Sequence, residues 1–143
     1  MDRRSRVLLV ETHPGALDGF SRGPLSGLCD FVARDPETAL GLASRDVPDL
    51  VAVADCVDAA GDGRTERILR RLRSLPAFSR APVVAVTSSA EAERRRRLLV
   101  AGADMVLSPP WDSGESLLRV RSLLVRDGSE DASDPRLTGA RLE

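Results

Sequence analysis

The chain has 143 residues, 42% of them hydrophobic and 30% charged, which fits one globular domain with a core of its own plus a short tail. A net charge of -1 gives no bulk electrostatic case for binding nucleic acid or an anionic membrane. All 21 basic residues are arginine, so any lysine-dependent chemistry is excluded.

Met1 to Arg6 is charged, and the apolar run after it, Val7 to Val10, is too short for a signal peptide or a membrane span. Cys29 and Cys56 make no disulfide framework. On strands separated by a third they would stand about 10 Å apart, beyond disulfide reach. A reduced, cytoplasmic protein is the expectation.

Val7-Leu8-Leu9-Val10 is a continuous apolar run and reads as a buried strand, ending at Glu11-Thr12-His13-Pro14. Pro14 fits the first turn of a helix carrying Leu17 and Phe20, which Gly23 and Pro24 end near Arg22. Cys29 to Ala33 is a weaker strand, and Asp30 within it points to a sheet edge. Asp35-Pro36-Glu37 starts a helix, with Asp as cap, Pro at the first position and Glu in the first turn.

Pro48 then introduces Asp49-Leu50-Val51-Ala52-Val53-Ala54-Asp55-Cys56, apolar between its two aspartates and read as a central buried strand. An acidic, glycine-containing loop follows to Gly63. Arg64 to Ser74 is helical, with Ile68, Leu69 and Leu72 inward and Arg67, Arg70, Arg71 and Arg73 on the other faces. Pro82 to Thr87 is a fourth strand. Ser88 and Glu91 form a capping box for a helix that Gly102 ends. Met105-Val106-Leu107 is a last short strand. After Pro109-Pro110, Asp112 and Glu115 cap a final helix carrying Leu117, Val120 and Leu124. Five alternations of strand and helix predict an α/β doubly wound parallel sheet covered on both faces. From Asp127 the composition turns to Gly, Ser, Asp and Glu. Residues 1–126 therefore read as the domain and 127–143 as linker or tail, with Leu142-Glu143 a candidate cloning scar.

Val7-Leu8-Leu9-Val10-Glu11, Pro48-Asp49-Leu50-Val51, Pro82 to Thr87 and Ala101-Gly102-Ala103-Asp104, continued by Leu107-Ser108-Pro109-Pro110-Trp111, resemble a response-regulator receiver domain from Arg6 to Val125. The resemblance implies a flavodoxin-like five-stranded parallel sheet, order 2-1-3-4-5, with five helices. It also locates a phosphotransfer pocket that is degenerate here. The phosphate-accepting aspartate corresponds to Ala54, whose methyl group cannot form an acyl phosphate. The acidic pair that binds Mg²⁺ corresponds to Glu11 and Thr12, the phosphate-pairing lysine to Pro109, and the aromatic of the fifth strand to Val106. The hydroxyl after the fourth strand survives as Thr87. The resemblance implies a cis bond before Pro110, which an X-Pro bond permits at modest cost.

Asp55 neighbours the lost acceptor. Because strand neighbours alternate faces, it is expected to aim away from Glu11 and Thr87 as a solvated loop carboxylate. Asp58 and Asp62 read as turn residues, His13 as a helix-entry residue, and Arg94 to Arg97 as a solvated stretch of helix. Leu98-Leu99-Val100 span about 200° of that helix, more than a surface helix buries, so at least one is exposed. Leu118 and Val125 begin a second stripe on the last helix. Leu98, Val100, Val106, Leu118, Arg121 and Val125 form the candidate interface, on the face that the resemblance assigns to homodimers or protein partners. A locally apolar surface is the alternative.

The expectation is a pseudo-receiver: a non-enzymatic signalling module acting by protein contact without phosphorylation, with a degenerate Mg²⁺ site and no cofactor. The alternative is the regulatory head of a longer response regulator. Asp134-Pro135-Arg136-Leu137-Thr138-Gly139 resembles, with one extra residue, the Asp-x-Leu-Thr-Gly opening of GGDEF diguanylate cyclase domains.

Overall fold

The structure, a computed structural model, describes residues 5–22, 27, 29–43, 47–55, 63–78, 81–89, 91–108 and 118–124. Five parallel strands, β1 (Ser5–Val10), β2 (Cys29–Arg34), β3 (Leu50–Ala54), β4 (Val83–Val86) and β5 (Met105–Leu107), form one sheet in the order β2-β1-β3-β4-β5. Five α-helices accompany them: α1 (Asp18–Ser21), α2 (Pro36–Ala43), α3 (Arg64–Ser74), α4 (Ala92–Ala101) and α5 (118–124). A short 3₁₀ turn at Pro76–Phe78 follows α3. This is the doubly wound architecture and strand order that the resemblance implies.

The strand alternation divides the core in two. Leu8, Val10, Val51, Val53, Val83 and Ala85 pack with Ile68, Leu69 and Leu72 of α3 and Leu98 of α4. Val7, Leu9, Leu50, Ala52, Ala54, Val84 and Val86 pack with Leu17, Phe20, Val120 and Leu123 on the other face. Every residue of β3 is buried, as expected of a central strand covered on both sides. β2 is an edge strand and is mostly exposed beyond Cys29, in line with the edge signal of Asp30.

The start of α2 follows its sequence signal: Asp35 Oδ1 accepts the Thr38 N–H at 2.8 Å. Two other helix starts differ from expectation. Pro14 opens a turn rather than a helix, because Gly15 adopts a φ of +85° and α1 begins only at Asp18. The Ser88–Glu91 capping box does not form. Glu91 itself is the residue preceding α4 and makes no side-chain cap; Ser89 Oγ accepts the Glu91 N–H at 3.2 Å instead. The bond before Pro110, the Asp112–Glu115 cap, Leu117, Cys56, Asp58, Asp62 and the tail lie outside the described residues.

Arg73 is not one of a row of solvated arginines. Its Nε donates to the Gly102 carbonyl at 2.8 Å, and its Nη1 donates to the carbonyls of Phe78 at 2.9 Å and Ala81 at 2.8 Å. Nη2 pairs with Asp104 Oδ2 at 2.5 Å, and that oxygen also accepts the Val83 N–H at 2.8 Å. One guanidinium thus ties the end of α3 to the entry of β4 and to the α4–β5 turn. Gly102, at a φ of +135°, is needed there, since a Cβ would stand 2.8 Å from Arg73 Cγ. Replacing Arg73 by Met strands three carbonyls and a carboxylate, and is expected to lower the unfolding free energy by about 3 kcal/mol, read as a lower urea midpoint at unchanged slope.

Candidate functional site

Parallel sheets of this kind present chemistry beyond the carboxyl ends of their strands. Glu11, Ala54, Asp55 and Thr87 stand there, at the ends of β1, β3 and β4, but pairing divides them between two faces. Val10 is paired with Val53 and Ala54 with Val86. Ala54 belongs to the α1/α5 side of the core, where its methyl group is 5% exposed.

Glu11 is buried, and its carboxylate is committed to backbone: Oε2 accepts the Leu17 N–H at 2.7 Å and Oε1 the Gly15 N–H at 3.3 Å. It is the residue that folds the turn ahead of α1. Thr12, half-buried, follows it. A hard divalent cation such as Mg²⁺ is held by one or two carboxylates free to bind it, with waters completing a near-octahedral oxygen shell. The residues here do not fit one: Glu11 is occupied, Thr12 is a hydroxyl and Ala54 a methyl. Among the described residues, no group of three or more His, Cys, Asp or Glu side chains is placed to hold a metal ion.

Asp55 overturns its expected role as a solvated loop carboxylate. Its N–H donates to the Val86 carbonyl at 2.8 Å, which extends the β3–β4 register by one residue and sets Asp55 beside Thr87. Residues directly paired in a parallel sheet share a face. Asp55 therefore meets Thr87, whose Oγ1 donates to Asp55 Oδ2 at 2.7 Å. Alternation along β3 does put Asp55 on the face opposite Glu11. It fails for Thr87, because alternation along one strand says nothing about which residue of the next strand is opposite.

The side chain of Asp55 is fully buried, and a second partner comes from α4. Arg94 Nε donates to Asp55 Oδ2 at 3.0 Å and Nη2 to Oδ1, while Nη1 donates to Glu66 Oε2 at 2.9 Å. Arg94 is thus withdrawn from the solvated Arg94–Arg97 stretch. Arg95 donates to the Val106 carbonyl at 3.1 Å, and Arg96 and Arg97 pair with Glu93 on the surface. Burial by itself raises the Asp55 carboxyl, but hydrogen bonds from Arg94, Thr87 and Thr65, with the charge of Arg94, outweigh it and hold Asp55 below the ordinary carboxylate range. The same partnership pushes Arg94 further into its protonated range. Sequence reasoning missed Arg94 and Glu66. No local signal marks either, since both sit among other charged residues on helices.

The candidate interface is also redrawn. Leu98 is 0% exposed and Val106 3%, because Leu98 is the α4 side chain that packs under the sheet and Val106 faces the same core. Neither is surface. Val100 is 72% exposed, Leu118 65% and Leu99 46%, and Arg121 is exposed with them. Val125 lies outside the described residues, as does Pro109. Leu99, Val100 and Leu118 stand on α4 and α5, which cover opposite faces of the sheet beside its β5 edge; Val32 on β2 and Val47 ahead of β3 are exposed apolar residues elsewhere.

A doubly wound sheet ordered 2-1-3-4-5, with polar residues gathered past the ends of β1, β3 and β4, is the flavodoxin-like architecture that receiver domains share with other proteins. No protein-family model matches the chain. It is similar to the KDP operon transcriptional regulatory protein KdpE of Escherichia coli, 32% identical over 133 residues, 92% of this chain and 56% of that protein. It is similar to the response regulator PleD of Caulobacter vibrioides, 36% identical over 91 residues, 64% of this chain and 19% of that protein. In structure it matches the receiver domain of the sensor histidine kinase PA1611 of Pseudomonas aeruginosa, with a TM-score of 0.66, 25% identity, and 89% of this chain and all of that one covered. The chain therefore has the receiver fold and the sequence likeness of response regulators, and it spans about half or less of those two relatives' lengths.

Because its folded pKa is depressed, Asp55 contributes stability that is fully present above the unfolded value of about 4 and is lost as pH falls through the lower folded value. Asp55→Asn is expected to cost about 3 kcal/mol at neutral pH, as breaking a buried ion pair does, and the gap from wild type should narrow in urea titrations below about pH 4.

Proposed function

We propose that this chain is a pseudo-receiver: a signalling domain that works by protein–protein contact, without aspartyl phosphorylation, and that catalyses no reaction of its own. The observation that carries this reading is the state of the two residues at the end of β3. Ala54 has no carboxylate, and the carboxylate beside it, on Asp55, is fully buried with both oxygens bonded to Arg94 and Oδ2 also to Thr87. A phosphoryl donor would have to displace Arg94 to approach either oxygen. Glu11, the surviving acid of β1, lies on the other face and is held by backbone N–H groups. Pro109, at the position the receiver resemblance assigns to the lysine, cannot pair with a phosphoryl group.

The contact surface in this reading is the exposed apolar face of α4 and α5, through Leu99, Val100 and Leu118 with Arg121 beside them. Large apolar side chains left in water at this level favour a protein partner or a second copy of the chain. The reading places the domain in the cytoplasm, free of DNA and membrane; among the described residues, no helix is long and apolar enough to cross a membrane.

A second reading treats the domain as the regulatory head of a longer response regulator. It is favoured by the chain's covering 56% of KdpE and 19% of PleD, and by the likeness of residues 134–139 to the opening of a GGDEF diguanylate cyclase domain. Reading the gene beyond the codon for Arg141 tests it; a stop codon there removes it.

Incubation with acetyl phosphate and Mg²⁺, or with beryllofluoride, is expected to leave the intact mass unchanged and the amide resonances around Thr87 unmoved. A stoichiometric phosphoryl adduct would overturn the pseudo-receiver reading. The contact surface is tested separately: Val100→Asp with Leu118→Asp should abolish any concentration-dependent rise in solution mass by light scattering, or the capture of a protein partner, without shifting the urea midpoint by more than about 0.5 kcal/mol equivalent.

A further inference from the structure

The ion cluster at the end of β3 does more than withdraw Asp55 from chemistry. The guanidinium of Arg94 joins three elements: the end of β3 through Asp55, the first turn of α3 through Glu66, and its own helix α4. The loop before α4 is tied to the same carboxylate, since Thr87 Oγ1 accepts the Ser89 N–H at 3.0 Å while donating to Asp55.

The rest of α4 explains why this matters. Only Leu98 and Ala101 of its ten residues are buried, and both lie in its second half. By contrast α3 buries five of eleven, distributed along its length. The first turn of α4 has no buried apolar residue and no side-chain cap. Among the described residues, Glu93 pairs with Arg96 and Arg97 at exposed positions on the same helix. What fastens the first half of α4 to the domain is therefore polar: Arg94 into the buried carboxylates, and Arg95 onto the Val106 carbonyl of the edge strand.

We propose that Arg94 is a built-in latch that holds the amino-terminal half of α4 folded against the sheet, so that the turns leading into the Leu99–Val100 surface stay docked without any added ligand or charge. This rests on the reading of α4 as a contact face and adds what holds the half of the helix that leads into it. An arginine suits the role. It stays protonated at all working pH values, and its planar fork takes both oxygens of one carboxylate while a third nitrogen reaches a second acid. Asp55 and Glu66 together supply two negative charges to one positive charge. Removing the arginine leaves both acids without this counter-ion.

The test is amide hydrogen exchange by mass spectrometry on the full chain, comparing wild type with Arg94→Met and with the charge-free triple variant Asp55→Asn, Glu66→Gln, Arg94→Met. Buried ion clusters replaced as a unit are tolerated far better than clusters broken at one member, so the triple variant keeps the experiment decisive if Arg94→Met does not fold. Peptides covering 91–96 should exchange at least ten-fold faster in either folded variant, while peptides in β1, β3 and 98–103 keep their wild-type rates. Unchanged exchange over 91–96 in the triple variant overturns the latch, and so does a uniform acceleration across all peptides. Phosphodonor treatment of the wild-type chain is a separate readout. A failed latch with no adduct leaves the phosphorylation-independent reading intact, and an adduct with the exchange pattern as expected overturns that reading alone.

Discussion

The pairing of β3 with β4 is the constraint on which the character of the site depends. Ala54 lies opposite Val86, and the Asp55 N–H continues that ladder. Because paired residues in a parallel sheet share a face, this register delivers Asp55 to Thr87 and to the α3/α4 side of the molecule. A slip of one residue would send Asp55 to the face of Ala54 and leave Arg94 and Glu66 facing an apolar strand end. The apolar side chains enforce the register, since Val51, Val53 and Ala85 fill one half of the core and Ala52, Ala54 and Val86 the other.

Arg73 and Arg94 show how an arginine-only protein uses its cations inside. Both reach inward from helices on which most of the other arginines stay at the surface; Arg95, bonded to the Val106 carbonyl, is the half-buried exception on α4. Arg73 satisfies carbonyls where chain segments converge, and Arg94 neutralises carboxylates that burial would otherwise penalise. The two act on adjoining elements, the end of α3 and the start of α4, so the α3–α4 side of the sheet is held by charge as well as by apolar packing. The α1/α5 side relies on Leu17, Phe20, Val120 and Leu123, and the buried acid Glu11 is used there to fold a turn.

The corrections have specific causes. Pro14 and Ser88 carry helix-start signals that one-dimensional reading accepts. In the fold a left-handed Gly15 and a loop bonded through Thr87 and Ser89 delay both helices by several residues. Leu98, Leu99 and Val100 cannot be sorted by periodicity when all three are apolar; only the sheet's position picks Leu98 as the inward one. Val106 is apolar on a short edge strand, and the packing against it, absent from any local pattern, makes it core.

The sequence by itself determined the order of elements, the burial of the central strand, the receiver-like architecture and the presence of an alanine, with no carboxylate, at position 54. These follow from apolar runs, turn residues and motif spacing, all of which are local along the chain. Only the tertiary structure decided that Asp55 is buried, that Thr87 is its neighbour, and that Arg94 and Glu66 complete the cluster. Those contacts join residues 28 to 39 positions apart, and they depend on inter-strand register and on the direction of two helices, neither of which leaves a periodic trace in the sequence.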